Sequence, residues 1–117
     1  MLKAFFQQIQ SRSHFENIDV QSLKAQLEQT ALPMLIDVRS AEEYATGHIN
    51  GSRLLPLQAI PTRHSELPRD TPIVVTCRSG ARSRVACEQL GQLGFTNLLN
   101  LDGGVIAWQQ AGLPLTR

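Results

Sequence analysis

The sequence predicts an α/β domain in three layers, with a central parallel sheet of about five strands and helices on both faces. Apolar runs rich in β-branched residues alternate with segments that carry helical spacing. Two of those runs, residues 34–38 and 73–76, are almost continuously apolar, which is typical of strands buried on both faces of a parallel sheet. With 117 residues, 42% of them hydrophobic, the chain is long enough for one domain with its own core.

A short segment at the start of the chain is predicted to lie apart from the main domain. We expect residues 1–16 to form an N-terminal extension, helical because Leu2, Phe5 and Ile9 fall on one side of a helix. Packing of this extension against the edge of the domain is favoured over docking to a partner. Residues 17–117 then make up the main domain.

Strands and helices are expected to alternate from residue 18 onward. Leu23 and Leu27 stand four apart, as on one face of a helix. Ser40 and Glu43 have the spacing of a capping box, so a short helix should follow Ser40 and end at Gly47. The expected strands are residues 18–20, 34–38, 52–55, 73–76 and 97–101, and the expected helices are residues 22–29, 41–45, 57–60, 83–93 and 105–111.

The helix predicted over residues 83–93 has the clearest pattern in the chain. Ala86, Leu90 and Leu93 recur at helical spacing, so one face should be packed. Gly94 suits the position that follows a helix C-terminus. The helix therefore has a predicted buried face and a predicted end.

Charge and cysteine content exclude several classes of function. The net charge of +1 gives no broad attraction to nucleic acid or to a membrane surface, and no apolar run approaches membrane-spanning length. Two cysteines are too few for a disulfide framework, and their spacing fits no zinc site. These observations favour a reducing compartment, and without a signal peptide pattern the expected location is cytoplasmic.

Cys77 stands where the pattern changes from strand to helix. It follows the apolar strand, and a helix is predicted a few residues later. The free N–H groups and the dipole of a helix N-terminus stabilise a thiolate there, and Arg78, Arg82 and Arg84 add positive charge. Gly80 permits the turn of the backbone. We therefore interpret Cys77 as a nucleophile in a cradle of backbone amides and favour this over a buried, inert cysteine.

The spacing of the loop narrows the chemistry. Four residues separate Cys77 from Arg82, whereas phosphatases with a cysteine nucleophile use a loop one residue longer. The shorter loop should form a tighter cradle, which suits one sulfur atom bound to the cysteine better than a tetrahedral oxyanion.

These motifs together resemble the single-domain rhodanese family of sulfurtransferases. The stretch Leu35-Ile36-Asp37-Val38-Arg39, followed by Glu42-Glu43-Tyr44 and Gly47-His48-Ile49-Asn50-Gly51-Ser52, resembles the amino-terminal signature of that family. The stretch Cys77-Arg78-Ser79-Gly80-Ala81-Arg82-Ser83 resembles its active-site loop. The stretch Leu101-Asp102-Gly103-Gly104, with Trp108 and Gly112-Leu113-Pro114, resembles its carboxyl-terminal signature.

The resemblance implies a sulfur-transfer mechanism through Cys77. Its thiolate would take the outer sulfur of a donor such as thiosulfate, become a persulfide, and pass the sulfur to a thiol, a protein thiol included, or to cyanide. The loop Arg78, Ser79, Gly80, Ala81, Arg82 and Ser83 would bind substrate and persulfide. Arg82 is the first candidate for the anionic part of the donor, with Arg78 second. No metal or organic cofactor is implied.

The resemblance also implies supporting roles beside the loop. Asp37 and Arg39 follow a strand and would brace the active-site loop, in preference to forming a surface ion pair. His48 is expected to be a structural, hydrogen-bonding residue rather than a base. Cys87 is expected to be buried and inert rather than a resolving thiol.

Two other classes of function stay open at this point. One is a non-catalytic binding or regulatory module of the same fold. The other, disfavoured by the loop length, is a cysteine-based phosphatase or arsenate reductase. The presence of Cys77 favours the sulfurtransferase over the binding module.

Overall fold

A computed structural model describes residues 15–117 of the chain. The predicted N-terminal helix lies outside these residues. The first strand begins at Phe15, so the sheet starts two residues ahead of the expected boundary at residue 17.

Five parallel strands form a single sheet, as the sequence predicts. Their order across the sheet is β1-β5-β4-β2-β3, and every pairing is parallel. The strands are β1 (Phe15–Ile18), β2 (Met34–Asp37), β3 (Arg53–Leu54), β4 (Ile73–Thr76) and β5 (Leu98–Leu101). The central strand β4 is buried at every position, as its apolar sequence indicates.

Helices connect the strands and cover both faces of the sheet. They are α1 (Val20–Leu27), α2 (Ala41–Thr46), α3 (Ile60–Arg63), α4 (Ala81–Gln92) and α5 (Gly104–Gln110). Two 3₁₀ turns, Leu57–Ala59 and His64–Glu66, flank α3, so the predicted helix over residues 57–60 is a longer, irregular helical stretch.

The core is divided between the two faces of the sheet. One cluster joins α3 and α4 to the sheet, and the other joins α1 and α5 to the opposite face. The first cluster includes Ile36, Val75, Cys77, Ala86, Cys87 and Leu90, and the second includes Leu35, Val74, Leu23, Leu101 and Trp108. Alternate residues of β2 and β4 point to opposite clusters, which is why both strands are apolar at nearly every position.

The start of the chain differs most from its prediction. Residues 18–20 were expected to form a strand, but the strand ends at Ile18 and α1 begins at Val20. The physical reason is Asp19, whose side chain accepts a hydrogen bond of 2.7 Å from the backbone N–H of Ser22 and so caps the helix.

The helix after Cys77 also starts earlier than expected. It begins at Ala81 rather than at residue 83, because Gly80 forms its N-cap with a φ of 108°. Residues that carry a side chain rarely adopt this left-handed backbone conformation. Glycine does so readily, which allows the chain to enter the helix directly after the loop. Ala81, Arg82 and Ser83 are therefore in the first turn of α4 rather than in a loop before it.

Candidate active site

The carboxyl ends of the central strands bring the predicted site together. Asp37 and Thr76 are aligned at the ends of the neighbouring strands β2 and β4. Cys77 directly follows β4, and α4 begins four residues later. In open sheets of this kind ligands bind at the carboxyl ends of the strands, so Cys77 is at the expected place.

The sulfur of Cys77 is surrounded by hydrogen-bond donors despite its burial. Only 1% of the residue is exposed. The backbone N–H of Gly80 donates to Sγ at 3.1 Å, and the hydroxyl oxygen of Ser83 lies 3.3 Å from Sγ. A buried cysteine packed only against hydrocarbon would lack such partners, so this environment is that of a reactive thiol.

These partners determine the acidity of Cys77. Burial opposes ionisation, but hydrogen bonds from Ser83 and from the amides of Gly80 and Ser79 prevail and hold the pKa of the thiol below its ordinary value. Ser79 is exposed, and it lowers the pKa of the thiol through its backbone amide. The cradle therefore consists of amides plus one hydroxyl.

The last helix holds the beginning of the loop. The backbone N–H groups of Val105 and Ile106, in the first turn of α5, donate to the carbonyl oxygens of Cys77 and Arg78 at 2.9 and 3.0 Å. A Cβ atom at Gly104 would collide with both of these carbonyl groups, so only glycine allows this approach. The glycine pair before α5 is thereby part of the site.

A buried chain of polar side chains extends from the thiol. The Ser83 hydroxyl donates to Oδ1 of Asn100 at 2.5 Å, and Nδ2 of Asn100 donates to Oδ1 of Asn17 at 3.1 Å. Ser83 and Asn100 are fully buried, whereas Asn17 is exposed on the edge strand. Sequence reasoning missed both asparagines, although a lone asparagine inside the apolar strand β5 is an unusual signal.

The structure pairs Arg82 with a carboxylate. Its guanidinium donates to both carboxylate oxygens of Glu43, at 2.7 and 2.9 Å. Hydrogen bonds from Arg82 lower the pKa of Glu43 to about 2. Glu43 also completes the predicted capping box with Ser40, so one side chain caps α2 and binds the loop arginine. The expectation that Arg82 is the first anion-binding residue is therefore weakened, because its charge is already compensated.

Arg78 is left as the uncompensated cation of the loop. Within residues 15–117 its guanidinium forms no ion pair. It lines a cleft of about 290 Å³ together with Arg39, Gln109 and other residues from α2, α5 and the C-terminal segment. Positive charge therefore faces this cleft, which lies beside the Cys77 loop.

Asp37 and Arg39 form a buried ion pair at the end of β2. The Arg39 guanidinium donates to both oxygens of Asp37, at 2.8 to 3.1 Å, and to the carbonyl oxygen of Gly47 at 2.7 Å. The pair thus ties β2 to the segment after α2, and Arg39 and Gly47 line the cleft. It contacts Gly47 rather than the Cys77 loop, so any bracing of that loop is indirect.

The other candidate residues have structural surroundings. His48 stacks on Tyr44 with ring centroids 3.7 Å apart, and its Nδ1 lies 2.8 Å from the Tyr44 carbonyl oxygen. Cys87 is fully buried, and burial raises the pKa of its thiol to about 12, with a further contribution from the charge of Glu88. Both arrangements agree with an inert role.

Two kinds of feature are absent from the part of the chain that the structure describes. Between residues 15 and 117 there is no group of three or more histidine, cysteine or acidic side chains placed to hold a metal ion. Over the same residues, no helix has the length and apolarity needed to cross a membrane.

Comparison with known proteins identifies a family. The sequence model of the rhodanese-like domain matches residues 19–111. A protein named sulfurtransferase from Allochromatium vinosum is 47% identical over 98 residues, which cover 84% of this chain and 92% of that protein. A thiosulfate sulfurtransferase, GlpE, from Vibrio cholerae is 31% identical, over 87% of this chain and 95% of that protein.

Solved structures show the same architecture. A rhodanese-related protein from Thermoplasma volcanium superposes with a TM-score of 0.79 at 31% identity, covering 86% of this chain and 97% of that one. A rhodanese-like domain protein from Staphylococcus aureus gives a TM-score of 0.78 at 29% identity, covering 87% of this chain and 99% of that one.

Proposed function

The chain belongs to the rhodanese-like domain family, and from this premise we propose that it transfers sulfane sulfur through a persulfide on Cys77. Relatives named as sulfurtransferases support this class of activity in general. The proposed donor is thiosulfate or another persulfide, and the proposed acceptor is a thiol, including a protein thiol, or cyanide. The reducing conditions that such thiols need fit a cytoplasmic location.

The first half of the reaction loads the sulfur. The Cys77 thiolate attacks the outer sulfur of thiosulfate, a new S–S bond forms, and the S–S bond of the donor breaks with its electron pair leaving on sulfite. Sγ loses its negative charge as the new bond forms, sulfite departs with the electron pair of the broken bond, and the outer sulfur keeps the negative charge that it carried in thiosulfate. The backbone N–H of Gly80 already donates to Sγ and stabilises the thiolate without rearrangement, and the Ser83 hydroxyl oxygen lies 3.3 Å from Sγ.

The second half of the reaction returns the thiolate. An acceptor thiolate or cyanide attacks the outer sulfur of the persulfide, and the S–S bond to Cys77 breaks with its electron pair returning to Sγ. Cys77 is a good leaving group for this step because its thiol pKa is held below the ordinary value. No cofactor and no metal take part in either step.

Arg78 is proposed to bind the anionic part of the donor. Arg82 was the first candidate from the sequence, but its guanidinium is engaged by Glu43. Arg78 faces the cleft without a carboxylate partner among residues 15–117, so its charge is available to a sulfonate or sulfite group. Asp37 and Arg39 are proposed to hold the wall of the cleft rather than to touch the reacting sulfur.

The observation that carries the proposal is the polar surroundings of the buried Cys77 sulfur, where the Gly80 amide donates to Sγ and the Ser83 hydroxyl oxygen lies 3.3 Å away. The proposal is tested by exposing the protein to thiosulfate and measuring the mass of the peptide that contains Cys77 by mass spectrometry. We expect one added sulfur on that peptide, no addition in Cys77→Ser, and full addition in Cys87→Ala. Cyanide should then remove the sulfur, and thiocyanate should form at the same rate as the added mass disappears from the peptide.

Two other outcomes would support other functions. A Cys77 peptide that stays unmodified with several donors would indicate a binding module. Rapid hydrolysis of an aryl phosphate, lost in Cys77→Ser, would indicate a phosphatase, against the expectation from the short loop. Either result would overturn the proposal.

A further inference from the structure

A chain of hydrogen-bonded side chains connects the buried Cys77 thiol with the protein surface. Cys77, Ser83, Asn100 and Asn17 are linked in that order, from a buried sulfur to an exposed amide. Asn17 and Asn100 are also aligned partners on the parallel strands β1 and β5, so backbone register holds the two amides side by side. A leucine at position 100 would suit the apolar strand better, and the polar choice requires a reason.

The protons along this chain can be counted. Nδ2 of Asn100 donates to Asn17, so the oxygen Oδ1 of Asn100 faces Ser83 and can only accept. The single proton of the Ser83 hydroxyl is therefore used on Asn100. Toward Cys77, 3.3 Å away, the Ser83 oxygen can then only accept, which suits a protonated thiol.

A thiolate requires the opposite arrangement. The sulfur then has no proton, so Ser83 must donate to it and needs a donor at its own oxygen. Rotation of the Asn100 amide by a half turn would supply that donor, because nitrogen and oxygen exchange places at unchanged shape. Oδ1 of Asn100 would then face Asn17, whose exposed amide can turn in water to offer its own nitrogen.

We propose that Asn100 is a positioning residue, which together with Asn17 switches the Ser83 hydroxyl between accepting from the Cys77 thiol and donating to its thiolate. One orientation of the two amides serves the protonated sulfur, and the other serves the thiolate and the persulfide. The inference rests on the proposed role of Cys77 as nucleophile. It concerns the ionisation of that thiol and can be tested without sulfur transfer.

A purely structural role for Asn100 makes a different prediction. A structural role would require only that the buried Asn100 amide has hydrogen-bond partners. Substitution of Asn100 would then alter the stability of the protein but not the pKa of the Cys77 thiol. The charged and titratable groups around the thiol are Arg78 in the loop, Arg82 and Cys87 on α4, Asp37 at the end of β2, Arg39 after β2, and Glu43 on α2. The five charged groups stay unchanged in the variants below, and Cys87 is replaced by alanine in all of them.

The test measures the pH dependence of Cys77 alkylation by iodoacetamide, with Cys87→Ala as the background so that one thiol remains. In Asn100→Leu the acceptor that competes for the Ser83 proton is gone, so the thiol pKa should fall by about half a unit to one unit. In Asn17→Asp an exposed carboxylate accepts only, so it holds Asn100 in the thiol orientation and the pKa should rise by a similar amount.

Two controls separate switching from other effects. High salt screens the charge that Asn17→Asp introduces but not a hydrogen-bond orientation, so the rise should persist at about 1 M salt. With Ser83→Ala as an added change, both shifts should vanish, because the amides act only through that hydroxyl. Asn17 is exposed, so its variant remains a test even where Asn100→Leu fails to fold.

The proposal is overturned if Asn17→Asp leaves the alkylation profile of its background unchanged at high salt. It is also overturned if the shifts survive in the Ser83→Ala background. Absence of sulfur transfer in the parent protein would contradict the proposed function. The alkylation measurement would still be interpretable, because it depends only on the ionisation of the Cys77 thiol.

Discussion

The two cysteines of this chain share their burial and differ in nearly everything else. Cys77 is 1% exposed and Cys87 is fully buried, and both belong to the same apolar cluster on one face of the sheet. The thiol pKa of Cys77 is nevertheless held below its ordinary value, while that of Cys87 is raised to about 12. Burial alone therefore does not decide whether a thiol in this protein ionises.

The difference comes from what surrounds each sulfur. Cys77 lies at the N-terminus of α4, where free backbone N–H groups converge on its sulfur. Cys87 lies inside α4, where the N–H groups are already bonded along the helix, and the carboxylate charge of Glu88 adds to burial in raising the pKa of its thiol. The start of α4 thus helps to lower the thiol pKa of the cysteine that precedes the helix, whereas the cysteine within the helix has a raised pKa.

The largest expected effect is the difference between the alkylation rates of Cys77 and Cys87 in the native protein. A gap of three pKa units or more gives about a thousandfold difference in thiolate fraction. The weaker nucleophilicity of the more acidic thiolate cancels about half of that on a logarithmic scale, so Cys77 should react at least about thirtyfold faster at pH 7. Mass spectrometry of the two peptides after timed treatment with iodoacetamide measures the ratio.

Unfolding the protein supplies the control for that prediction. In concentrated urea both peptides should be labelled at similar rates, because the fold no longer distinguishes them. Equal rates in the native protein would contradict the comparison of the two thiols.

Substitution of Arg78 and of Arg82 tests which positive charge near Cys77 binds the donor. Arg78→Gln should raise the KM for thiosulfate about tenfold, since a charge-assisted hydrogen bond contributes roughly 1.5 kcal/mol, while kcat changes little. Arg82→Gln should change this KM less, because that guanidinium is already bound by Glu43. Steady-state kinetics at fixed ionic strength measures both effects.

A larger effect from Arg82 would reverse the assignment. The sequence-based choice of Arg82 as the principal anion-binding residue would then be right. In that case the ion pair with Glu43 would have to open before the donor binds.

The smallest expected effect is a loss of stability in alkali that depends on Cys87. Its pKa is about 12 in the folded protein against an ordinary value of 9.0, so between these pH values the unfolded chain gives up a proton that the folded chain keeps. The free energy of unfolding should therefore fall as pH rises above about 9, by up to about 1.4 kcal/mol per pH unit from this group. Well below pH 9 the group should contribute almost no slope.

Cys87→Ala is the matched variant for that measurement. Urea titrations of parent and variant at pH 8, 9 and 10 isolate the contribution, because all other titrating groups are common to both. The parent should lose stability more steeply above pH 9, and parallel curves would show that Cys87 ionises in the folded protein as it does in the unfolded chain.

Local pattern was sufficient to predict most of the fold. The strand over residues 73–76 was predicted to the residue, and the five parallel strands follow from the alternation of apolar and helical segments. The predicted start of α1 was wrong because Asp19 was included in a strand, although an aspartate three residues before Ser22 is itself a capping signal. The start of α4 was wrong by two residues because Gly80 was taken for a loop residue.

The local sequence pattern could not predict contacts between side chains that are far apart in the sequence. The capping role of Glu43 was predicted from its spacing to Ser40, but its contact with Arg82 joins residues 39 positions apart. Asn100 and Asn17 are 83 positions apart, and only strand order and register place them together. The loop around Cys77 was predictable because all of its donors are contiguous in sequence, whereas the partners that select among its arginines are not.

The contact between Gly104 and the start of the Cys77 loop bears on how this fold could evolve a different chemistry. Adding a residue to the loop would widen the ring toward the size that phosphatases use. The carbonyls of Cys77 and Arg78 are held by the amides of α5, and the space there admits no Cβ atom. An insertion would have to bulge elsewhere in the loop or come with a rebuilt α5. A change from sulfur to phosphate as substrate is therefore not one mutational step but at least two, at sites encoded about 25 codons apart.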